Sequence, residues 1–304
     1  MSSMGRSLRA VPSGYYTVVI EGEELGIVQS VEGGGAKADL VTQQVGGDNI
    51  RTKSIGNLTF DPISMQIGAS MAKPFYQWIA NSWDRKHERR DGSILKYDYN
   101  IAPTHEIEFK QALVTETTVP ALDATSKQTM YLTVKLQPEA VTNITAPTGA
   151  RIMGLVKAEQ KSFMTQNFRF GLDTVDVGRV TKIESFTVKQ NVKPMQVGTF
   201  RAPQMEPTSL EYPNITFTTS LDGADALFDW HKKFVVDGDA SVDHETTGHI
   251  TLLDPTLQNE LLEIELDGVG ITSIKINKSE ATSRNSVDRV VVELFVTKYA
   301  FKWQ

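Results

Sequence analysis

A surface turn leading into an alternating strand occurs twice in this chain, and that repetition limits the folds open to it. Leu122 to Leu136 reads LDATSKQTMYLTVKL, and Ser279 to Leu294 reads SEATSRNSVDRVVVEL. Asp123, Ala124, Thr125, Ser126 and Lys127 align with Glu280, Ala281, Thr282, Ser283 and Arg284 at an offset of 157 (281 − 124), with acid and base each replaced in kind. A repeated loop implies a repeated unit. The apolar sets behind it, Leu132, Val134 and Leu136 against Val290, Val292 and Leu294, coincide only if the second copy carries one more residue. A slip of one would turn the buried face outward, so an insertion in the loop or a bulge is expected.

Earlier segments repeat as well. Tyr16, Val18 and Ile20 alternate with Thr17 and Glu21 as a half-buried strand does, and Phe168, Phe170 and Leu172 carry the same face at an offset of 152 (168 − 16). GIVQSVE (Gly26 to Glu32) aligns with GRVTKIE (Gly178 to Glu184) at that offset. Gly33 to Gly56 has too many glycines and too little periodicity for a core element, so it reads as a long excursion or flexible hairpin. Its partner is Thr187 to Pro213, in which Val197 and Gly198 match Val45 and Gly46. Beyond that point NITF (Asn214 to Phe217) is taken as the counterpart of NLTF (Asn57 to Phe60), which makes the second copy longer by five residues. One amphipathic helix is expected in each half: Phe75, Trp78, Ile79 and Ser82 at i, i+3, i+4 and i+7, with Leu227, Trp230, His231 and Phe234 in the second. Further strands are expected at Glu106 to Leu113 and Glu263 to Ile271, joined by the polar turns HERRDGSI and HETTGHI.

Each half thus holds about six or seven strands and one helix, which defines a mainly β fold: two tandem β-barrel or sandwich domains, each plugged by a helix with Phe75 and Trp78, or Leu227 and Trp230, as core anchors. At 304 residues with 40% hydrophobic content the chain can fill two ordinary cores. The expected division is an N-terminal arm (1–13), a first domain (14–141), a linker with a short helical piece at Arg151 to Lys161 (142–166) and a second domain (167–304). Without cysteine, a disulfide framework, a thiolate metal site and a cysteine nucleophile are all excluded. The opening MSSMGRSLRAVPSG lacks the apolar core of a signal peptide, and no stretch approaches the length of a membrane-spanning helix, so a soluble protein without a membrane partner is expected.

Chemistry is sparse. The Gly33 to Gly35 triplet continues as Ala36, Lys37 and Ala38, without the Lys-Ser/Thr pair that seats a phosphate. His87, His105, His231, His244 and His249 show no zinc-helix spacing, and Asp243, His244, Glu245 and His249 read as a polar turn. No nucleophile elbow is present. The reading is of a non-enzyme with no catalytic residue, metal or cofactor. Arg85, Lys86, Arg89 and Arg90 are interrupted by Glu88 and flanked by Asp84 and Asp91, which suits a solvated or interface turn better than a DNA patch, and the net charge of −6 points the same way.

FYQWI, ERRDGSILKYD, a strand ending in alanine (Phe109 to Ala112), PALDATSK (Pro120 to Lys127) and a last apolar strand follow one another in order, preceded by VGGDNIRTKSIGNLTF (Val45 to Phe60). That succession, over about Gly14 to Val141, resembles the tail tube proteins of contractile-tailed phages and related contractile injection systems. The resemblance implies barrel-like domains joined six to a ring, stacked into a tube for DNA inside a contractile sheath. The partners it implies are other copies of the chain in trimeric or hexameric rings, sheath and baseplate proteins, and DNA passing through the lumen without specific binding. The implied location is a virion tail assembled in the host cytoplasm. Val45, Gly46, Gly47, Asp48, Asn49, Arg51, Lys53, Val197, Gly198 and Arg201 are then expected between rings, and Asp123, Thr125, Lys127, Glu280, Thr282 and Arg284 at the rim. A baseplate hub, tube initiator or tube terminator built from the same domains is the alternative. A binding protein or hydrolase using the His244 region is a third reading.

Overall fold

The computed structural model describes residues 14–44, 51–98, 101–145, 163–198, 200–277 and 288–303. The first half contains β1 (Tyr16–Ile20), β2 (Glu23–Gly33), β3 (Ala36–Gln44), β4 (Arg51–Phe60), β5 (Ile63–Ile67), α1 (Lys73–Trp83), β6 (Arg90–Tyr97), β7 (Pro103–Val119), β8 (Leu122–Asp123), β9 (Thr129–Met130), β10 (Leu132–Gln137) and β11 (Ala140–Thr145). The second contains β12 (Phe163–Met164), β13 (Phe168–Leu172), β14 (Val180–Ile183), β15 (Phe186–Met195), β16 (Gln204–Glu211), β17 (Ile215–Ser220), α2 (Asp225–His231), β18 (Thr246–Leu253), β19 (Glu260–Ile276) and β20 (Arg289–Trp303). β11 runs through position 141, where the sequence places the domain boundary, and the expected helical piece at Arg151 to Lys161 lies outside the described residues.

Strands β10, β5, β2, β1, β6 and β7 pair in that order, and β10 pairs with β7 to close a six-stranded barrel. Period-two alternation fills it: Val18, Ile20, Ile63, Met65, Ile67, Val134 and Leu136 are each 2% exposed or less. Closure leaves no free edge around these six strands, and the unequal lengths of β6 and β7 leave one stretch open at the rim.

In the second half β13, β18, β19, β20, β17 and β14 form a sheet in which β13 and β14 do not pair. The sequence match of these two strands to β1 and β2 implies the same hairpin, and the structure corrects that expectation. Asp173 N donates to Thr247 O, Asp176 Oδ1 accepts from Gly178 N, and Val177 is buried, so the connection folds inward instead of turning back tightly. The edge of β14 is taken by β8 of the first half, with Lys182 opposite Asp123 and Ile183 opposite Leu122.

The ladders also correct the alignment of NITF. Ile215, Phe217 and Thr219 lie opposite Leu294, Val292 and Val290, as Ile63, Met65 and Ile67 lie opposite Leu136, Val134 and Leu132. The counterpart of Ile215 is therefore Ile63, at 152 (215 − 63), and the five extra residues vanish. NLTF belongs to β4. The two Asn-x-Thr-Phe strings are alike in letters, but only one lies in a core strand. β20 follows β10 at 158 (292 − 134), one more than the loop offset, which matches the extra residue expected from the apolar sets.

Candidate assembly interface

Two hairpins carry the glycine-rich excursion and its partner. In the first, Lys37 pairs with Thr59, Leu40 with Ile55 and Gln43 with Thr52, with a slip between Ala38 and Leu40. In the second, Lys189 pairs with Glu211, Val192 with Pro207 and Met195 with Gln204, with a slip between Gln190 and Val192. Each pair is the other displaced by 152 (189 − 37), slip included. The environments differ. β3 is exposed throughout, whereas Phe186 and Val188 at the root of β15 are 4% and 2% exposed.

β15 is buried because it continues the barrel of the other half. Phe186, Thr187, Val188 and Lys189 lie antiparallel to Val119, Thr118, Thr117 and Glu116, on the stretch of β7 that extends beyond β6. Strand addition of this kind satisfies an open edge, and the side chains fix the register. Thr118 and Thr187 share a hydrogen bond of 2.8 Å between hydroxyls, and Ser185 Oγ donates to Val119 O at 2.9 Å. Arg89 clamps the hairpin: Nη2 donates to Met205 O at 2.9 Å and lies 3.1 Å from Glu206, while Nε faces Glu139 at 3.5 Å. Glu139 accepts in turn from Met205 N at 3.0 Å. Of the basic run expected in a solvated or interface turn, one arginine meets the hairpin. Arg90 instead sits 5.7 Å over the Trp78 ring.

The helix α1 forms the second part of the joint. Pro74 suits its first turn, and Phe75, Tyr76, Trp78, Ile79 and Trp83 are all 1% exposed or less, which needs cover on two sides. The barrel supplies one and the end of β20 the other, where Phe301 and Tyr299 meet Trp83 edge-on. Burial pushes the Tyr299 and Tyr76 phenols well above the ordinary range, so both stay protonated and donate, Tyr299 to Pro213 O at 2.6 Å and Tyr76 to Gly68 O. Tyr212, also raised by burial, donates to Trp83 O at 2.7 Å. In α2, which continues through a wider turn at 232–236, Leu227 is fully buried but Trp230 only half-buried.

Of the residues expected between rings, Arg51 and Lys53 stand exposed on β4, Gly198 is exposed and Val197 half-buried in the β15–β16 turn, and Arg201 is exposed, its carbonyl accepting from Leu58 N at 3.4 Å. Val45 to Asn49 lie outside the described residues, as do Glu280, Thr282 and Arg284. Asp123, Thr125 and Lys127 lie in the loop that meets the second half. Ala124 N donates to Thr181 O at 2.9 Å and Asp123 N to Thr165 O at 3.0 Å. Thr125 donates to Asp123 Oδ1 from its hydroxyl and its amide, which holds that carboxyl below the usual range. Sequence reasoning missed Arg89, Glu139, Phe186 and Tyr212 as joint residues. Their signal was available as departures from the repeat, since the first-half positions matching Phe186 and Tyr212 are Gly34 and Phe60.

In the His244 region, Ser241 Oγ and Asp239 Oδ1 lie 3.0 Å and 2.8 Å from the same ring nitrogen, Nδ1. A nucleophile and an orienting acid must use opposite nitrogens. No group of residues placed to hold a metal occurs among the described residues, and no described helix is long and apolar enough to cross a membrane.

A closed barrel flanked by a helix, with its open strand edge filled by a neighbouring unit's hairpin, defines a structural protein built for edge-to-edge joining. Residues 12–142 match the family model described as T4-like virus tail tube protein gp19. That match spans the first half of the chain and stops short of the second. No curated protein matches. Among solved structures, a chain of the sheath-tube complex of an extracellular contractile injection system, PVC, is similar at 20% identity and a TM-score of 0.40, covering 48% of this chain and 99% of its own. A chain of the anti-feeding prophage tube-terminating cap is similar at 18% identity and a TM-score of 0.41, covering 53% and 100%.

Proposed function

We propose that this chain is a structural subunit of a phage or phage-like tail tube, and that its second half is a second tube-type domain. Domain one then spans about 14–145 and domain two about 163–303. The observation that carries the reading is the pairing of β15 with β7, by which a hairpin of the second half extends the barrel sheet of the first. Three such chains supply the six domains the family's rings imply, and stacked rings leave a bore for DNA. The net charge of −6 suits a wall to which DNA does not adhere. A sheath and a baseplate are its partners in a tail particle assembled in the host cytoplasm. The exposed turn of the β15–β16 hairpin, with Gly198 and Arg201, reaches the next ring.

Electron microscopy of the purified protein at high concentration tests this, with stacked rings of three chains expected. Particles that remain single chains, and that do not enter tails when co-expressed with the tail proteins, overturn it. Quantifying copies per particle tests the place in the tube: many copies fit the tube body, and a single ring's worth makes the chain a cap or initiator.

A further inference from the structure

The first half's own hairpin, β3–β4, has the shape of the docked one and pairs with no other strand among the described residues, while the second half offers the matching edge unpaired. We infer that β3 of one chain adds to β19 of the next, so that copies join head to tail through a repeat of the joint found inside each chain. This rests on the tube reading for its ring, but the contact follows from register.

Displacing the observed pairs by 152 on the hairpin (188 − 36) and 157 on the receiving strand (274 − 117) sets Ala36 opposite Ile274, Lys37 opposite Ser273 and Gly34 opposite Ile276. That edge of β19 is open: β18 stops at Val269, while β20 pairs the other edge as far as Ile276. β7 and β19 also skip one residue at the same place, Thr115 and Thr272, so the two receiving edges have the same form.

Exposure marks the site as uncovered. Val119, beneath Phe186, is 0% exposed, and its counterpart Ile276 is 60% exposed. Trp83 is 1% exposed, and its counterpart Val235 is 44% exposed beside Val236 at 68%. The hairpin has apolar residues to offer: Leu40 and Ile55 are 67% and 66% exposed, where Val192 and Pro207 are half-buried. The clamp reverses polarity between the two sites. Arg89 holds Glu206 inside the chain; its counterpart on the open site is Glu245, near Asp239 and Asp243, and the hairpin brings Arg51 and Lys53. Each hairpin therefore matches its own site in charge. The root of the free hairpin can also turn: Gly33 and Gly34 hold φ of +95° and +72°, whereas Ser185 to Thr187 have no positive φ. Glycine alone passes between both states.

The chain's lack of cysteine makes the test direct. Chains carrying Ala36→Cys and Ile274→Cys are mixed under mild oxidation. A disulfide-linked pair of chains in the mixture, absent from either variant alone, is expected, and the double variant is expected to give a covalent ladder ending at three chains. Ile276→Asp, exposed in the single chain, is expected to abolish the ladder with an unchanged melting temperature. A mixture without the linked pair, or a double variant that closes within one chain, overturns the contact. Tubes seen without cross-linking overturn the contact and leave the tube reading standing. A closed ladder that never stacks supports the contact and overturns the tube reading.

Discussion

Tyr76 in α1 and Trp303 near the end of the chain stack with ring centroids 3.8 Å apart and planes 10° from parallel. Two residues 227 positions apart (303 − 76) thus seal the joint between the halves, with Phe163 edge-on to the same indole at 5.9 Å. Such contacts add to area burial, so Trp303→Ala should lower stability by about 2–4 kcal/mol. Urea unfolding checks it, and loss of the seal between the halves should split one transition into two.

Phe186→Ala removes the apolar root of the docked hairpin, 4% exposed against Tyr299 and Val119. The expected loss is about 3–4 kcal/mol. Hydrogen exchange should rise along Phe186–Met195 and Gln204–Glu211, while β1 and β6 stay protected.

Arg89→Lys should behave nearly as Arg89→Ala, because the planar fork reaches a carbonyl and two carboxylates at once and a point charge does not. Either variant should lose about 1–2 kcal/mol by denaturant titration. A lysine variant as stable as the parent contradicts the clamp.

Asp123 sets a pH dependence. Its folded carboxyl is held below the ordinary value, chiefly by the Thr125 hydroxyl and amide, so the contribution is complete above the ordinary carboxylate range and is lost as pH falls through the lowered value. Between pH 7 and 5 the loop should be unchanged. Below about pH 4 exchange of the Thr125 and Ala124 amides should rise, and Asp123→Asn should show that faster exchange at neutral pH without the pH step.

The mainly β class and the helix anchors were legible because burial imposes a period on the letters, as at Tyr16, Val18 and Ile20 or Phe75, Trp78 and Ile79. Periodicity says less about who pairs with whom. NITF and NLTF look interchangeable, and only the ladder through Leu294 shows which one is core. The open second sheet was likewise illegible, since whether β13 and β14 meet depends on where Val177 is buried. Arg89 reads from the sequence only as part of a solvated or interface turn, because its partners Met205 and Glu206 lie more than a hundred positions away. No local rule reaches that far.

Because β15 and β7 belong to one polypeptide, their seam forms by a unimolecular step and survives any dilution the fold itself survives. A chain built this way fixes the stoichiometry of its two halves at one to one. It also frees them to diverge, since a change on one face needs compensation only in the sister half to which it is tethered.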